Sequence, residues 1–263
     1  MAIRHSVSTW ALHSLLQSCG NGRPGDDQAQ LMGDPGGSLS LLDVPVNIAR
    51  RGFMTMELCH FHIPTRDADY LSEFRAALFE EEVDLWSLLI DDGNITDPLT
   101  SERDVEWTKG WIDTAATLGS KCVRIAGGKN LGETEKAIQN LSELADYASA
   151  KKVRVLTENW FETLSNPDAV EQVFDALGDK IGLCFDFGNW SGPDKYTNLS
   201  RIAKYATSCH AKCNYQNGTP DVADFEKCLE ITRENGFDGP YTLVYGEPGM
   251  VWDSLAEQKT LLG

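Results

Sequence analysis

The sequence lacks any apolar run of roughly 18 residues, which is the length that a membrane-spanning helix requires. Its amino terminus also lacks the succession of charged, apolar and small residues that is typical of a secretory signal. These two absences argue against export and against membrane insertion. We therefore expect a cytoplasmic location.

Basic residues are scarce, with 23 Lys and Arg against 40 Asp and Glu, and the formal net charge is −17. A field of this sign repels phosphate backbones and anionic membrane surfaces. We therefore expect neither nucleic acid nor a membrane as a partner.

The seven cysteines do not form an obvious framework, because their number is odd. Cys59, Cys122, Cys184 and Cys209 lie in apolar segments, where a thiol behaves as a small hydrophobic group. Cys209 and Cys213 have the spacing of half a zinc site, but no second Cys or His pair follows at ligand distance. We expect structural thiols and no disulfides.

Short apolar or β-branched runs alternate with longer amphipathic stretches, which is typical of βαβ units around a parallel sheet. The pattern predicts eight strands: Ile3–Thr9, Phe53–Cys59, Val83–Ile90, Lys121–Ala126, Val153–Thr157, Ile181–Phe185, Thr207–Cys213 and Tyr241–Tyr245. Helical periods lie between them at Asp67–Glu82, Glu102–Leu118, Glu133–Ala150, Asp168–Leu177 and Asp221–Asn235. Glycines follow three of these helices as stop signals, at Gly119, Gly178 and Gly236.

Eight such units can close into one barrel, whose strands are buried on both faces and so read as nearly continuous apolar runs. We therefore predict an α/β fold, a single (β/α)₈ TIM barrel over residues 1–263, although the length alone also permits two smaller domains. An open doubly wound sheet is the alternative, but no Gly-rich phosphate turn follows the first strand. A Gly- and Pro-rich segment at about 17–38 does follow it, and either a lid or a solvated insertion would fit this composition.

Charged side chains interrupt the last four predicted strands near their carboxyl ends, at Glu158, Asp186, His210 and Glu247. They are 28, 24 and 37 residues apart, close to the roughly 31 residues per unit of a barrel of about 250 residues. The four side chains should therefore meet at the face where barrels build active sites. Singly, each carboxylate could be a helix cap or a loop residue, and His210 could be a core histidine, so the prediction depends on all four together.

Three carboxylates at one mouth repel each other, by about 4 kcal/mol for a pair at about 4 Å and an effective dielectric near 20. A divalent cation would relieve this repulsion. Three oxygen donors and one imidazole suit Mn²⁺ or Mg²⁺, with Co²⁺ or Zn²⁺ as alternatives. If Glu247 does not lie at the same level of the barrel as the other three residues, Asp91 and Asp92 could compete with it as metal ligands.

Several short motifs carry a family resemblance: Thr-Glu-Asn at 157–159, Cys-Phe-Asp-Phe-Gly-Asn at 184–189, His-Ala-Lys at 210–212, Gly-Glu-Pro at 246–248 and the run at 115–124. Together they resemble the xylose isomerase-like sugar phosphate isomerase/epimerase superfamily, and the resemblance covers nearly the whole chain. It implies that Glu158, Asp186, His210 and Glu247 bind the metal. It also implies that Glu158 and Glu247 are catalytic, one removing a proton beside a carbonyl and the other returning it through an enediolate.

The resemblance implies a small polyhydroxylated carbonyl substrate, a sugar or sugar phosphate, and is compatible with a homodimer. Candidate substrate contacts are Lys212, His62, Arg124, Asn189 and Trp10, with His60, Trp160 and Trp190 as further candidates. For Arg124 a structural ion pair is an equal alternative, and for the tryptophans simple packing over the barrel.

Asn189 departs from the family pattern, because many relatives carry His at this position. The departure weakens an assignment to the ketose 3-epimerases. It also disfavours the DNA-repair endonucleases of the superfamily, which need additional histidines for several zinc ions and must bind a polyanion.

Two alternatives to an isomerase remain: a metal-dependent lyase or dehydratase acting on a hydroxy-ketone, and a sugar-binding barrel without turnover.

Overall fold

The structure of the protein is a computed structural model that describes residues 3–17, 24, 36–245 and 249–263. Its strands are β1 (Arg4–Ser8), β2 (Thr55–Cys59), β3 (Asp84–Ile90), β4 (Cys122–Ile125), β5 (Arg154–Glu158), β6 (Gly182–Asp186), β7 (Ala206–His210), β8 (Tyr215–Gln216), β9 (Thr219–Pro220) and β10 (Pro240–Leu243). Its α-helices are α1 (Val44–Ala49), α2 (Ala68–Glu80), α3 (Ser101–Leu118), α4 (Thr134–Ser149), α5 (Pro167–Leu177), α6 (Lys195–Ile202), α7 (Val222–Glu234) and α8 (Val251–Leu262). Short 3₁₀ turns occur at His13–Leu15, Leu41–Asp43, His60–His62, Gly178–Lys180 and Ala203–Tyr205.

Eight of the strands pair in parallel and close into a barrel in the order β1-β10-β7-β6-β5-β4-β3-β2. Strand β1 closes the ring by pairing with both β10 and β2. The predicted TIM barrel is therefore confirmed, and the open-sheet alternative is wrong. All eight predicted strands are present, with ends that are shifted by at most three residues.

Three helices went unpredicted, and each has a physical reason. Helix α1 spans only six residues and contains Pro45, whereas α6 spans eight and is rich in polar side chains. Helix α8 follows the predicted eighth strand and carries a mixed face in which buried Val251 and Leu255 alternate with charge. Short or weakly periodic helices form here because the barrel buries one side of them, an effect that local pattern does not report.

The small hairpin formed by β8 and β9 follows the seventh strand, which was predicted to end at Cys213. That strand ends at His210, and the chain then turns back on itself through Asn217 and Gly218, whose φ angles are 52° and 76°. Positive φ at both central positions is the requirement of a type I′ hairpin, which Asn-Gly meets with little strain.

Most of the predicted loop at 17–38 lies outside the described residues. Its described ends are held side by side, since Gln17 donates its backbone N–H to the Leu39 carbonyl at 2.9 Å and Leu16 pairs with Leu39. The assignment of this segment as a lid stays a prediction. Among the described helices, none is both long and apolar enough to cross a bilayer.

The barrel interior is unusually polar for this fold, in which branched aliphatic side chains commonly fill the centre. Residues paired across neighbouring strands point to the same side, so the register places one continuous set inside. This set runs across β7, β10, β1 and β2, and consists of Ser208, His210, Thr242, Ser6, Ser8, Thr55 and Glu57. Small hydroxyl side chains therefore surround the charged groups at the barrel's centre.

The apolar core instead lies between the strands and the helices, and Phe225 of α7 tests the contribution of the helical layer. Phe225 is fully buried, and its ring meets that of Phe187, directly after β6, edge to face at 5.8 Å. We expect Phe225→Ala to lower the free energy of unfolding by about 3–5 kcal/mol, measured by urea denaturation, because a cavity replaces a buried ring. The control Phe79→Ala removes a ring that is 85% exposed, and its effect should stay within about 0.5 kcal/mol. Equal effects of the two substitutions would contradict this view.

Candidate metal centre

Three of the four predicted ligands are the last residues of consecutive strands. Glu158 ends β5, Asp186 ends β6 and His210 ends β7, and Asp186 pairs directly with His210 in the strand register. All three residues are buried, with exposed fractions of 5% or less. The fourth predicted ligand, Glu247, lies outside the described residues.

The three side chains converge on one ring nitrogen. Nδ1 of His210 lies 3.5 Å from Oε1 of Glu158 and 3.5 Å from Oδ2 of Asp186. The opposite ring nitrogen, Nε2, lies 2.8 Å from Oε2 of Glu57. The imidazole is thus held from below by one carboxylate and faces two others at the mouth of the barrel.

Asp186 is oriented by its neighbours before any ligand is bound. Its Oδ1 accepts hydrogen bonds from the backbone N–H groups of Gly188 at 2.6 Å and Asn189 at 2.7 Å. The side-chain amide of Asn159 bonds both the N–H and the carbonyl of Asp186, at 2.8 and 3.0 Å. These contacts leave Oδ2 directed at the ring of His210. Asn159 was not among the predicted site residues, although it adjoins Glu158 in the sequence.

Glu158 is held between a polar amide and a buried cation. Its Oε1 accepts a hydrogen bond from Nδ2 of Asn189 at 2.7 Å, while its Oε2 lies 3.0 Å from Nε of Arg124. That second contact lacks good hydrogen-bond geometry, so Oε2 is a buried oxygen without a hydrogen bond among the described residues. Arg124 also pairs with Asp91, at 2.5 Å. The structural ion pair predicted as one alternative for Arg124 is therefore present.

Burial and neighbouring charge shift the pKa values in opposite directions. Burial disfavours the imidazolium of His210, but the adjoining carboxylates of Glu57, Glu158 and Asp186 outweigh it and raise the pKa of this ring well above its ordinary value. Burial likewise opposes ionisation of Asp186, yet the hydrogen bond with His210 and the charge of Lys212 lower its pKa. Without a metal, His210 and Asp186 thus form a buried ion pair.

A small cavity of about 220 Å³ opens beside this cluster at the carboxyl ends of the strands. Its lining combines the charged groups with an aromatic and apolar wall: Ser8, Trp10, Cys59, Phe61, Leu89, Asp91, Arg124, Glu158, Trp160, Asp186, Asn189, His210, Lys212 and Val244. Polar groups converging on a partly apolar pocket are typical of a small-molecule site.

The donor set fits a divalent cation. One oxygen each of Glu158 and Asp186 lies 3.5 Å from the same imidazole nitrogen, and among the described residues Glu158 keeps a buried oxygen without a hydrogen bond. The thiol of Cys184 also lies nearby, since its Sγ and the ligand atoms of Glu158 and His210 are all within 4.8 Å of one another. Burial raises the pKa of this thiol to about 11, which favours the protonated form that does not ligate metals.

A family model described as the xylose isomerase-like TIM barrel matches residues 46–259 of the sequence. The chain belongs to this family. The comparison with curated proteins gives no match. As a xylose isomerase-like barrel, the chain shares its fold with proteins of several activities.

Three solved structures illustrate this range. A xylose isomerase-like TIM barrel protein from Mycobacterium smegmatis, in complex with magnesium, is 17% identical, with a TM-score of 0.64 and coverage of 100% of this chain and 98% of that one. A D-psicose 3-epimerase from Clostridium cellulolyticum H10, with D-tagatose, is 12% identical, with a TM-score of 0.70 and coverage of 99% of both chains. A probable 3-DHS dehydratase from Bacillus anthracis is 12% identical, with a TM-score of 0.68 and coverage of 99% and 98%. At these identities the similarity shows the fold.

Glu57, like Asn159, was not among the predicted site residues. It is fully buried in β2, far along the chain from the other carboxylates, and it reaches across the barrel to His210. A signal was available, because a glutamate between Met56 and Leu58 inside an apolar strand needs a buried partner.

Four of the five predicted substrate contacts line the cavity: Trp10, Arg124, Asn189 and Lys212. The ammonium of Lys212 has no hydrogen bond or ion pair within the described part of the chain. Its stem lies over Gly188, where an added Cβ would be 2.5 Å from Lys212 Cδ, so a larger residue at this turn would displace the lysine.

His62, the fifth predicted contact, is not part of the cavity lining. Its Nδ1 lies 2.9 Å from Thr9 Oγ1 and its Nε2 lies 2.9 Å from Nδ1 of His13. Both ring nitrogens therefore have protein partners, and burial lowers the pKa of His62 to about 3. A direct substrate contact for this residue stays a prediction.

The remaining candidates divide in the same way. Trp160 lines the cavity beside Arg124, whereas Trp190 is buried and donates its Nε1–H to the Leu164 carbonyl. His60 packs edge to face against Trp107 and Trp111 and is not part of the cavity lining.

The ion pair around His210 predicts a pH dependence of stability in the metal-free protein. Because the folded-state pKa of His210 is raised above 6.5, its contribution is fully present below pH 6.5 and is lost as the pH rises toward the folded-state pKa. Urea denaturation in EDTA should therefore give a free energy of unfolding that falls on the alkaline side of pH 6.5. The fall should be smaller in His210→Gln, and the same slope in both proteins would contradict the assignment.

Proposed function

We propose that this protein is a divalent-metal-dependent isomerase or epimerase acting on a small polyhydroxylated carbonyl compound, a sugar or sugar phosphate. The observation that carries the proposal is the convergence of Glu158 Oε1 and Asp186 Oδ2 on Nδ1 of His210 at the carboxyl end of the barrel. Catalytic groups in TIM barrels occupy this face.

Glu158, Asp186 and His210 would hold the cation, together with Glu247 as the sequence predicts. Mn²⁺ or Mg²⁺ suits the oxygen-rich set best, with Co²⁺ or Zn²⁺ as alternatives. When bound, the cation would stabilise the negative charge that develops on substrate oxygens as a proton leaves the neighbouring carbon. The magnesium bound to the Mycobacterium smegmatis protein supports this assignment by analogy of fold.

Glu158 is proposed to move the proton. Its carboxylate belongs to the lining of the cavity, where it would accept a proton from the carbon beside the carbonyl. Asn189 and Arg124 flank the carboxylate and fix its orientation. Glu247 would return the proton from the other side of the substrate, as the family resemblance implies.

The rest of the cavity would select and orient the substrate. The exposed ring of Trp10 and the ring of Trp160 offer apolar faces to sugar C–H groups, whereas the Lys212 ammonium offers hydrogen bonds to hydroxyl or phosphate oxygens. The cavity of about 220 Å³ accommodates a single small molecule.

Metal titration tests the ligand set. The protein stripped with EDTA should bind Mn²⁺ by calorimetry, and Asp186→Asn should bind it much more weakly because the substitution removes a negative charge from the ligand set. Cys184→Ala should retain it, because the thiol is protonated and lies outside the proposed set. Loss of binding in Cys184→Ala with retention in Asp186→Asn would reverse the assignment and favour a softer, thiol-bound metal.

Solvent exchange tests the reaction. The protein is incubated with Mn²⁺ and a panel of aldoses, ketoses and their phosphates in D₂O. We expect deuterium to appear on the carbon next to the carbonyl, as measured by mass spectrometry and NMR. Glu158→Gln should lower the rate by about 10²- to 10⁴-fold, the usual contribution of general acid–base catalysis. Asp84→Asn, which alters a surface carboxylate paired with Lys121, serves as the matched control and should retain the rate.

Two outcomes of this exchange experiment would redirect the proposal. Irreversible loss of water would indicate a lyase, the activity class that the probable dehydratase with this fold illustrates. Metal binding without exchange or water loss on any member of the panel would contradict the isomerase proposal and favour a sugar-binding barrel.

A further inference from the structure

The carboxylate of Glu57 lies on the side of the His210 ring that faces away from the cavity. Oε2 of Glu57 is 2.8 Å from Nε2 of His210, and both groups are buried. Glu57 does not line the cavity. It therefore touches neither a substrate nor a cation held by the proposed ligand set, and any effect it has must act through the imidazole.

Strand order makes this contact a long-range one. Two strands, β1 and β10, separate β2 from β7 in the barrel, so Glu57 crosses the interior to reach His210. Small hydroxyl side chains leave room for this crossing, at Ser6 and Thr242 on the two intervening strands. Between β2 and β7 the barrel interior therefore contains small hydroxyl side chains beside the Glu57 carboxylate in place of aliphatic ones.

The surroundings of Glu57 suit a carboxylate better than a hydrocarbon core would. Its second oxygen, Oε1, and the hydroxyls of Ser6, Ser208 and Thr242 are all buried without a hydrogen-bond partner in the described residues. These polar atoms lie on consecutive strands of one side of the barrel. Polar neighbours lower the cost of burying charge, which an apolar interior would make prohibitive.

We propose that Glu57 is a positioning residue for the metal centre. By accepting a hydrogen bond from Nε2–H of His210, it fixes the tautomer and the ring orientation that leave the Nδ1 lone pair directed toward Glu158 and Asp186. This inference rests on the proposed function, because it assumes that Nδ1 is a ligand. It adds a residue that supports the site from beneath the ligand set.

The test compares Mn²⁺ affinity in wild type, Glu57→Gln and Glu57→Leu by calorimetry on the full chain. Glutamine keeps an acceptor of similar shape but loses the charge, whereas leucine removes the acceptor. We expect affinity to fall in that order, with a loss of about 10- to 100-fold in Glu57→Leu, the usual effect of removing a carboxylate behind a ligating histidine. Ser87→Ala is the matched control, because Ser87 is equally buried and pairs with Glu57 across β2 and β3.

A second measurement reports the contact itself and does not depend on activity. In Zn²⁺-loaded protein labelled with ¹⁵N-histidine, wild type should show a slowly exchanging, downfield Nε2–H resonance for His210. The resonance should move upfield in Glu57→Gln and exchange rapidly in Glu57→Leu. If Glu57→Leu does not fold, the Glu57→Gln titration and spectrum decide the question.

Wild-type Mn²⁺ affinity in both Glu57 variants, with an unchanged Nε2–H resonance, would overturn the positioning role and leave the proposed metal centre intact. Absence of cation binding by wild type would overturn the metal centre itself, and the positioning role with it. The wild-type titration alone therefore separates the two failures.

Discussion

The site depends on one buried imidazole surrounded by carboxylates. His210 has Glu57 on one side and Glu158 with Asp186 on the other, and all four groups are removed from water. Such a cluster is stable only if each charge has a partner, because an unpaired buried charge is very costly. The buried Arg124 meets this requirement by lying 3.0 Å from Glu158, and the Asn159 amide fixes the backbone of Asp186.

Much of the fold was predictable because a closed parallel barrel leaves a repetitive mark on the sequence. Strands buried on both faces read as short apolar runs. The end of each run marks the residue that lies at the carboxyl-terminal face of the barrel. Glu158, Asp186 and His210 could therefore be assigned to one level, and the structure brings them together. Helices α1, α6 and α8 were not predicted, because their stability comes from packing against the barrel.

Contacts between strands that are not neighbours were beyond the sequence pattern. The pairing of Glu57 with His210 joins positions 153 residues apart, and no local period links them. Similarly, spacing alone could not decide whether Asp91 would face a metal or Arg124. The answer depends on the pairing of β3 with β4, which brings the Arg124 side chain to Asp91. Buried charge in an apolar strand was the one usable clue, and it indicates that a partner exists without identifying it.

The polar interior also accounts for how a common fold can present a specific site. The apolar core lies between the strands and the helices, so the barrel centre can accommodate hydroxyls and a carboxylate below the ligands. The most direct measurement is anomalous diffraction from crystals soaked in Mn²⁺. The account predicts a single strong peak within coordination distance of His210 Nδ1, Glu158 and Asp186. A peak that avoids the His210 ring, or none at this end of the barrel, would contradict it.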